Sequence, residues 1–304
     1  MKRFARRCRG YKYLLVMLLP AVMYVLIFNY IPMTGLVLAF KKYNYAQGMF
    51  LSPWNGLANF KFLFISNKLW ELTRNTLLYN AAFIVMDTVL EVMFAIIINE
   101  LFGKWFKKIF QTFMFLPYFI SWVVAVAVVQ VLFNFDYGIV NRVLASLGAE
   151  KINTAVNADI WPFLLVALHA WKNVGYGSVV YLAAVTGIDP DMYEAATIDG
   201  AGVWQKLTRI TLPNLVPTVI IMVLLKVGQI FRGDFGMFYQ LVGTNGALLS
   251  TTDMLDMYIY RAMAGSGNIG MSAAAGLYQS VLCFVTIMLV NYIVKKIQPN
   301  YSLF

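Results

Sequence analysis

The chain has 304 residues, 61% of them hydrophobic and only 12% charged, with a formal net charge of +10 at pH 7. Soluble domains carry about a quarter charged residues, so roughly half the usual charge is missing and an ordinary soluble domain is excluded. The excess of Lys and Arg flanks apolar runs instead of clustering on a folded soluble face, which excludes a nucleic-acid footprint. Cys8 and Cys283 lie at opposite ends and imply neither a disulfide framework nor a metal site, and the single histidine, His169, leaves no basis for a His-based metal centre or triad.

The apolar residues arrive in long runs, the mark of an all-α polytopic membrane protein. Residues 1–13 read as a basic cytoplasmic tail carrying Lys2, Arg3, Arg6, Arg7, Arg9 and Lys12. No small-x-small cleavage site follows, and the apolar character continues to Phe40, so a retained first helix is expected rather than a signal peptide. Six spans follow within 14–294: residues 14–40, 75–101, 109–133, 161–186, 215–239 and 271–294. Each exceeds the ~20 residues that cross the hydrocarbon. The first and fifth are interrupted by Asn, Pro or Gly, which lipid tolerates only where neighbours or a cavity satisfy the freed backbone groups. Residues 295–304 form a second cytoplasmic tail.

Sidedness follows from basic residues near span ends. The N-terminal tail, the turn with Lys104, Lys107 and Lys108, the polar island with Lys206 and Arg209, and Lys295-Lys296 are dense in positive charge. The opposite loops spread their basic residues over longer stretches, so both termini and the island are expected in the cytoplasm; the basic loop 41–74 weakens that assignment without reversing it. Residues 55–74 read as one amphipathic interfacial helix with Leu57, Phe60, Phe64 and Trp70 on a common side, and residues 137–147 look similar. The segment 243–270, with Asp253, Asp256 and Arg261, offers a docking surface or simple packing.

Four ionisable residues fall near span centres: Asp87 and Glu91 in the second span, Lys172 in the fourth, Lys226 in the fifth. An unpaired charge there costs roughly 2.5–3.5 kcal/mol on the gentler insertion scale, so these groups must pair or line water. Asp87 and Glu91 are four apart and share a helix face with Asn80. In the fourth span His169, Asn173 and Tyr176 share a face, and in the fifth Lys226 and Gln229 do. One reading is a polar cavity for a hydroxyl-rich solute, with Tyr176, Tyr181, Phe231 and Tyr239 as stacking surfaces. The other is a set of buried ion pairs that fix helix register. For Asp87 and Glu91 the two stand about even; for Asn173, Tyr176, Lys226 and Gln229 the cavity is preferred.

Between the fourth and fifth spans lies the polar island. Asp189-Pro190 is a helix start, an Asp N-cap with Pro at the first helical position, and Asp191 suits the helix dipole. Asp199-Gly200 stops that helix, because Gly supplies the positive φ of a C-terminal cap. A second short helix over 203–211 is expected to end before Leu212-Pro213. Ala195 and Ala196 make the first helix narrow enough for a partner groove, and Glu194 offers a carboxylate to a partner Arg. An amphipathic turn that merely caps two spans explains the same residues, and local physics alone favours it.

The island carries a resemblance that changes this balance. Glu194, Ala195, Ala196, Asp199, Gly200, Ala201, Ile210, Leu212 and Pro213, with their spacing, resemble the EAA signature of binding-protein-dependent ABC importer permeases of type I. The segments 30–40, 171–175 and 181–188 extend the resemblance over nearly the full length, toward the carbohydrate-uptake branch related to the maltose permease subunits and within it the permeases for complex polysaccharide fragments. The resemblance implies that 189–213 is a cytoplasmic coupling segment docking into an ATPase, with Glu194, Ala195, Ala196, Asp199, Gly200, Ala201, Leu212 and Pro213 at the contact. It implies that spans four and five line the route, which points to Asn173, Tyr176, Lys226, Gln229 and Tyr239. The implied partners are a second, different permease subunit, two ATPase subunits holding ATP and Mg2+, an extracellular solute-binding lipoprotein, and a carbohydrate solute, all at a bacterial plasma membrane. The chain itself would bind no cofactor or metal and would be no enzyme. Consistently, it contains no G-x-x-x-x-G-K-[ST] phosphate loop. A proton- or sodium-coupled carrier with Asp87 and Glu91 as the relay is the alternative, but it predicts inverted repeats that are not visible and leaves the island unexplained; a non-transporting scaffold predicts no polar residues at midplane.

Overall fold

The computed structural model describes residues 11–65, 68–101 and 103–297. The expected N-terminal tail up to residue 10 and the end of the C-terminal tail from 298 lie outside the described residues. The described residues form two compact units, one of 11–65 with 262–278 and one of 68–261 with 279–297.

The first unit begins with helix α1, Lys12–Val25, which passes through a π turn at Leu26–Tyr30 into a 3-10 stretch, Ile31–Phe40. These changes of pitch fall at Asn29 and Pro32, where the sequence anticipated a break, yet the chain stays helical. Its apolar side chains are nearly all exposed, a surface that belongs in lipid or against another chain. The 3-10 stretch ends on a side-chain cap: Asn59, on helix α2 (Ala58–Ile65), donates through Nδ2 to the carbonyls of Ala39 and Lys41, both at 2.9 Å.

The second unit is built on helix α3, Lys68–Glu100, packed along a later helix. Trp70 belongs to the first turn of α3, so it does not share one amphipathic helix with Leu57 and Phe60 as the sequence suggested; the side chain of Phe64 lies outside the described residues. Helices α4 (Lys104–Phe119) and α5 (Trp122–Phe133) follow, then α6 (Ile139–Ser146) and α7 (Trp161–Thr186). Helix α8 is Pro190–Ile198, and α9 runs unbroken from Val203 to Val227. Short helices α10 (Phe235–Leu241) and α11 (Leu255–Tyr260) precede α12, Ile269–Ile297, whose first turns belong to the other unit. Tyr79, Phe83, Trp161, Leu165, Met237, Phe238 and Met254 form the apolar core of this unit. Two glycines let α7 come close to its neighbours. A Cβ on Gly175 would lie 1.9 Å from the Met114 carbonyl oxygen, and one on Gly177 would lie 1.9 Å from Glu91 Oε1.

Among the described residues, four helices are long and apolar enough to cross a membrane: Tyr13–Phe40, Lys68–Glu100, Val203–Val227 and Ile269–Lys296. The third expected span is not one helix. Helices α4 and α5 meet at 97° around residues 120–121, a break the sequence reading did not place there. Pro117 weakens the end of α4, and Ser121 accepts the Val124 N–H to start α5. The break frees carbonyls inside an apolar environment, and Lys172 of α7 answers them. Its ammonium donates to Tyr118 O at 2.9 Å, to Pro117 O at 3.3 Å and to Ile120 O, and lies 5.3 Å from the Trp122 ring centroid. Lys172 therefore meets its burial cost with carbonyl dipoles and a ring face, not with a carboxylate.

The fifth expected span, 215–239, is shifted. Pro213 does not end the preceding helix, because a π turn at Leu207–Thr211 takes up the misfit of its missing donor and α9 continues to Val227. Residues 228–234 are then irregular. Turn bonds serve part of their backbone, Arg232 N donating to Gln229 O at 2.8 Å, and side chains serve two further groups: Asp256 accepts the Gly233 N–H at 2.7 Å, and Gln279 Nε2 donates to Phe231 O at 2.6 Å.

Replacing Lys172 with Met leaves the carbonyls at the α4–α5 break without their donor. Lys172→Met is expected to destabilise the protein by about 1–3 kcal/mol, read as a lower midpoint of thermal unfolding in detergent. An unchanged midpoint would mean that the bend holds without the ammonium.

Candidate functional site

Residues from α3, α7 and α9 enclose a cleft of about 720 Å3. On α3 the buried positions Tyr79, Phe83, Asp87, Glu91 and Ala95 recur every four residues, so the two carboxylates fall on the stripe that faces α7. Both are buried, at 5% and 2% exposure. Lys226 of α9 reaches them: its Nζ lies 3.1 and 3.0 Å from the two oxygens of Glu91 and 3.6 Å from Asp87 Oδ2. His169 Nδ1 lies 3.3 Å from Asp87 Oδ1, and its ring stacks on Phe83 at 4.0 Å between centroids. Two carboxylates thus share one ammonium, with the imidazole on the remaining Asp87 oxygen. The Lys226 side chain remains a quarter exposed, which keeps the ammonium in contact with the cleft.

Asn173, Tyr176, Lys226 and Gln229 all line this cleft, as do Asn80, Asp87 and Glu91. Asn173 uses its Nδ2 on the His169 carbonyl at 3.0 Å, which leaves its amide oxygen facing elsewhere. Tyr176 stacks on Tyr118 at 4.2 Å with the rings 7° from parallel, and more than half of it is exposed. Tyr239 lies outside the cleft, on α10, where its hydroxyl accepts from Tyr260 at 3.2 Å and its ring stacks on Phe235. Tyr181 and Phe231 are buried at 0% and 8% exposure and offer no ring face to a solute. Arg232 and Asp234 also line the cleft and were not singled out from the sequence. Asp234 caps α10 by accepting the Met237 N–H at 3.0 Å and also accepts from Trp122 Nε1 at 3.0 Å. The cap was legible as an Asp just ahead of an apolar run; its tie to Trp122 was not.

The polar island forms at the far end of α7. Asp189 accepts the Asp191 N–H at 3.0 Å to cap α8. Gly200, at φ +76°, closes α8: Ala201 N donates to Ala196 O at 2.8 Å and Gly200 N to Thr197 O at 3.1 Å, the paired bonds of a Schellman turn. The turn is then locked onto α9. Tyr193 and Thr211 share a hydroxyl hydrogen bond at 2.9 Å, and Lys206 Nζ donates to Thr197 Oγ1 at 2.7 Å. Glu194, Ala195, Asp199, Gly200, Leu212 and Pro213 are exposed, while Ala196 and Ala201 are half-buried. Beside them three large apolar side chains point outward, Ile198, Val203 and Trp204, at 87%, 77% and 74% exposure. This is a rigid, preformed knob with an apolar face and a carboxylate.

Comparison with known proteins locates the chain. Residues 91–299 match the family described as binding-protein-dependent transport system inner membrane component. The chain is 34% identical to the polygalacturonan/rhamnogalacturonan transport system permease protein YteP of Bacillus subtilis (strain 168), over 97% of this chain and 91% of that protein. It is similar to a chain in the crystal structure of a bacterial ABC transporter involved in the import of the acidic polysaccharide alginate, with TM-score 0.88 and 31% identity over 97% of this chain and 99% of that one. A bacterial alginate ABC transporter in complex with an alginate pentasaccharide-bound periplasmic protein contains a chain similar at TM-score 0.87 and 31% identity, with 97% and 98% covered.

The charge cluster makes a definite demand on variants. Lys226→Met leaves two buried carboxylates without their cation and is expected to cost about 3–5 kcal/mol. Adding Glu91→Gln should recover a large part of that loss, and the non-additivity of the two changes in thermal unfolding measures the pair. Additive losses would mean that Lys226 and Glu91 do not depend on each other.

Proposed function

The chain belongs to the binding-protein-dependent transport system inner membrane components, and from that premise we propose how its two sites divide the work of an ABC sugar importer. As the permease subunit it forms the membrane path; the cleft between α3, α7 and α9 holds the solute, and the α8–α9 knob takes up the motion of an ATPase. The observation that carries this reading is the continuity of α9. One unbroken helix starts beside the Schellman turn and ends one residue past Lys226, so a push on the knob moves the ammonium against Asp87 and Glu91. Over 25 residues that helix spans about 38 Å.

The solute is an oligosaccharide cut from a polysaccharide. The exposed Tyr176 ring with the amides of Asn173 and Gln229 supplies the flat face and the paired donors and acceptors that sugars require, and relatives that carry polygalacturonan and alginate support the class. Tyr239 takes no part in the cleft and is left out of the solute site. Glu194, Ala195, Ala196, Asp199, Gly200, Ala201, Leu212 and Pro213 make up the docking knob, with Ile198, Val203 and Trp204 as its apolar anchors. Its partners are two ATPase subunits, which hold ATP and Mg2+, a second permease subunit, and an extracellular binding lipoprotein. The knob and both termini face the cytoplasm.

Glu194→Lys is expected to abolish uptake and release the ATPase while the permease still inserts normally. Wild-type uptake with an intact complex would remove Glu194 from the contact. In proteoliposomes holding the whole transporter, uptake of a galacturonate or alginate trisaccharide should require ATP and survive collapse of the proton and sodium gradients. Uptake driven by a gradient without ATP would restore Asp87 and Glu91 as an ion relay.

A further inference from the structure

A second groove, of about 660 Å3, lies on α3 and α7 away from the charged cluster. Leu78, Ala82 and Met86 form one wall, and Phe163 and Val166 the other. The wall residues on α3 repeat every four positions, a straight stripe along one helix face that begins at Arg74. From Arg74 to Met86 the stripe is about 18 Å long, close to the ~15 Å half-thickness of a bilayer's hydrocarbon.

Polarity along the groove is one-sided. Its polar lining, Arg74, Asn75, Ser250, Thr251 and the Tyr79 hydroxyl bonded to Thr251, gathers at one end, and the rest is apolar. That end is marked as the membrane boundary by Trp70, which is 70% exposed one turn away, the position of an interfacial anchor. The segment above it is tied down on both sides. Tyr79 donates to Thr251 O at 3.0 Å, and Thr251 Oγ1 donates to Ala158 O at 2.8 Å, so the head of the groove is preformed. Among the described residues the Arg74 guanidinium hydrogen-bonds only to the amide oxygen of Asn75, at 3.2 and 3.4 Å, and no carboxylate pairs with it. Its charge is left for an anion.

We propose that this groove binds one anionic phospholipid, its phosphate on Arg74 and Ser250 and an acyl chain along Leu78, Ala82 and Met86. A cation at the interface above an apolar trough of one leaflet's depth matches an amphiphile with a negative head, and it matches neither a soluble sugar nor a free phosphate. The bidentate reach of guanidinium to phosphate supplies the specificity.

The test uses the assembled transporter in nanodiscs of phosphatidylcholine with a minor fraction of phosphatidylglycerol. Native mass spectrometry on gentle release should find phosphatidylglycerol retained on the permease. Arg74→Ala should lower that retention about tenfold, the loss expected for one charge-assisted hydrogen bond. Ala82→Trp, which fills the trough and keeps Arg74, should displace the lipid as well while the complex stays assembled. Retention unchanged in both variants overturns the proposal. So does loss of the second permease subunit from Ala82→Trp with no change in bound lipid, since the groove would then be a protein interface. Equal retention of phosphatidylcholine would overturn the anionic headgroup.

Discussion

A helix that crosses lipid has no water to offer a carboxylate, and α3 carries two of them one turn apart. Everything near the cleft follows from how they are held. Gly177 removes the side chain that would collide with Glu91, which brings α7 against α3. Lys226 then closes the site from α9, and His169 takes the remaining Asp87 oxygen. Burying ions is expensive in either state of the transporter, so the cluster fixes the register of three helices and also makes the position of α9 electrostatically consequential. Two buried carboxylates depend on one ammonium.

A second theme runs through the chain. Its helices are interrupted repeatedly, and three of the interruptions are served by side chains from distant segments: Asn59 for the end of the 3-10 stretch, Lys172 for the α4–α5 bend, Asp256 and Gln279 for the irregular stretch after α9. In water such groups would be solvated at little cost. In a bilayer they must be satisfied internally, and the polar residues scattered through the apolar sequence are where that requirement is met.

The sequence showed some of this and concealed the rest, for physical reasons. The α8 boundaries were legible because Asp189, Pro190 and Gly200 act through local backbone geometry. The shared face of Asp87 and Glu91 was legible because helix periodicity is local too. The break at residues 120–121 was not, since Pro117 alone does not stop a membrane helix and the group that stabilises the bend, Lys172, is 55 residues away. The choice of Lys226 as partner to Glu91, across 135 residues, needed the packing of three helices. Pro213 misled for the opposite reason. A local rule said stop, and a π turn, wide enough to absorb the missing donor, overruled it. Tyr181 lies on α7 but is buried, Phe231 sits in the irregular stretch after α9 and Tyr239 on α10, because the hydropathy of a span reveals neither where its helix ends nor which face opens to the cleft.

The groups that serve the helix breaks act mostly on main-chain atoms, and this creates an asymmetry in what the fold can afford to change. Lys172, Gln279 and Asn59 are committed by their chemistry. Tyr118, Ile120, Phe231 and Ala39 contribute only carbonyls to those bonds, and any residue type brings the same carbonyl. Tyr118 sits at such a break and stacks on a ring of the cleft wall. Tyr118 is the exception among them, because its ring centroid also lies 5.8 Å from the Lys172 ammonium, so exchanging that ring would alter the cleft wall and the bend together.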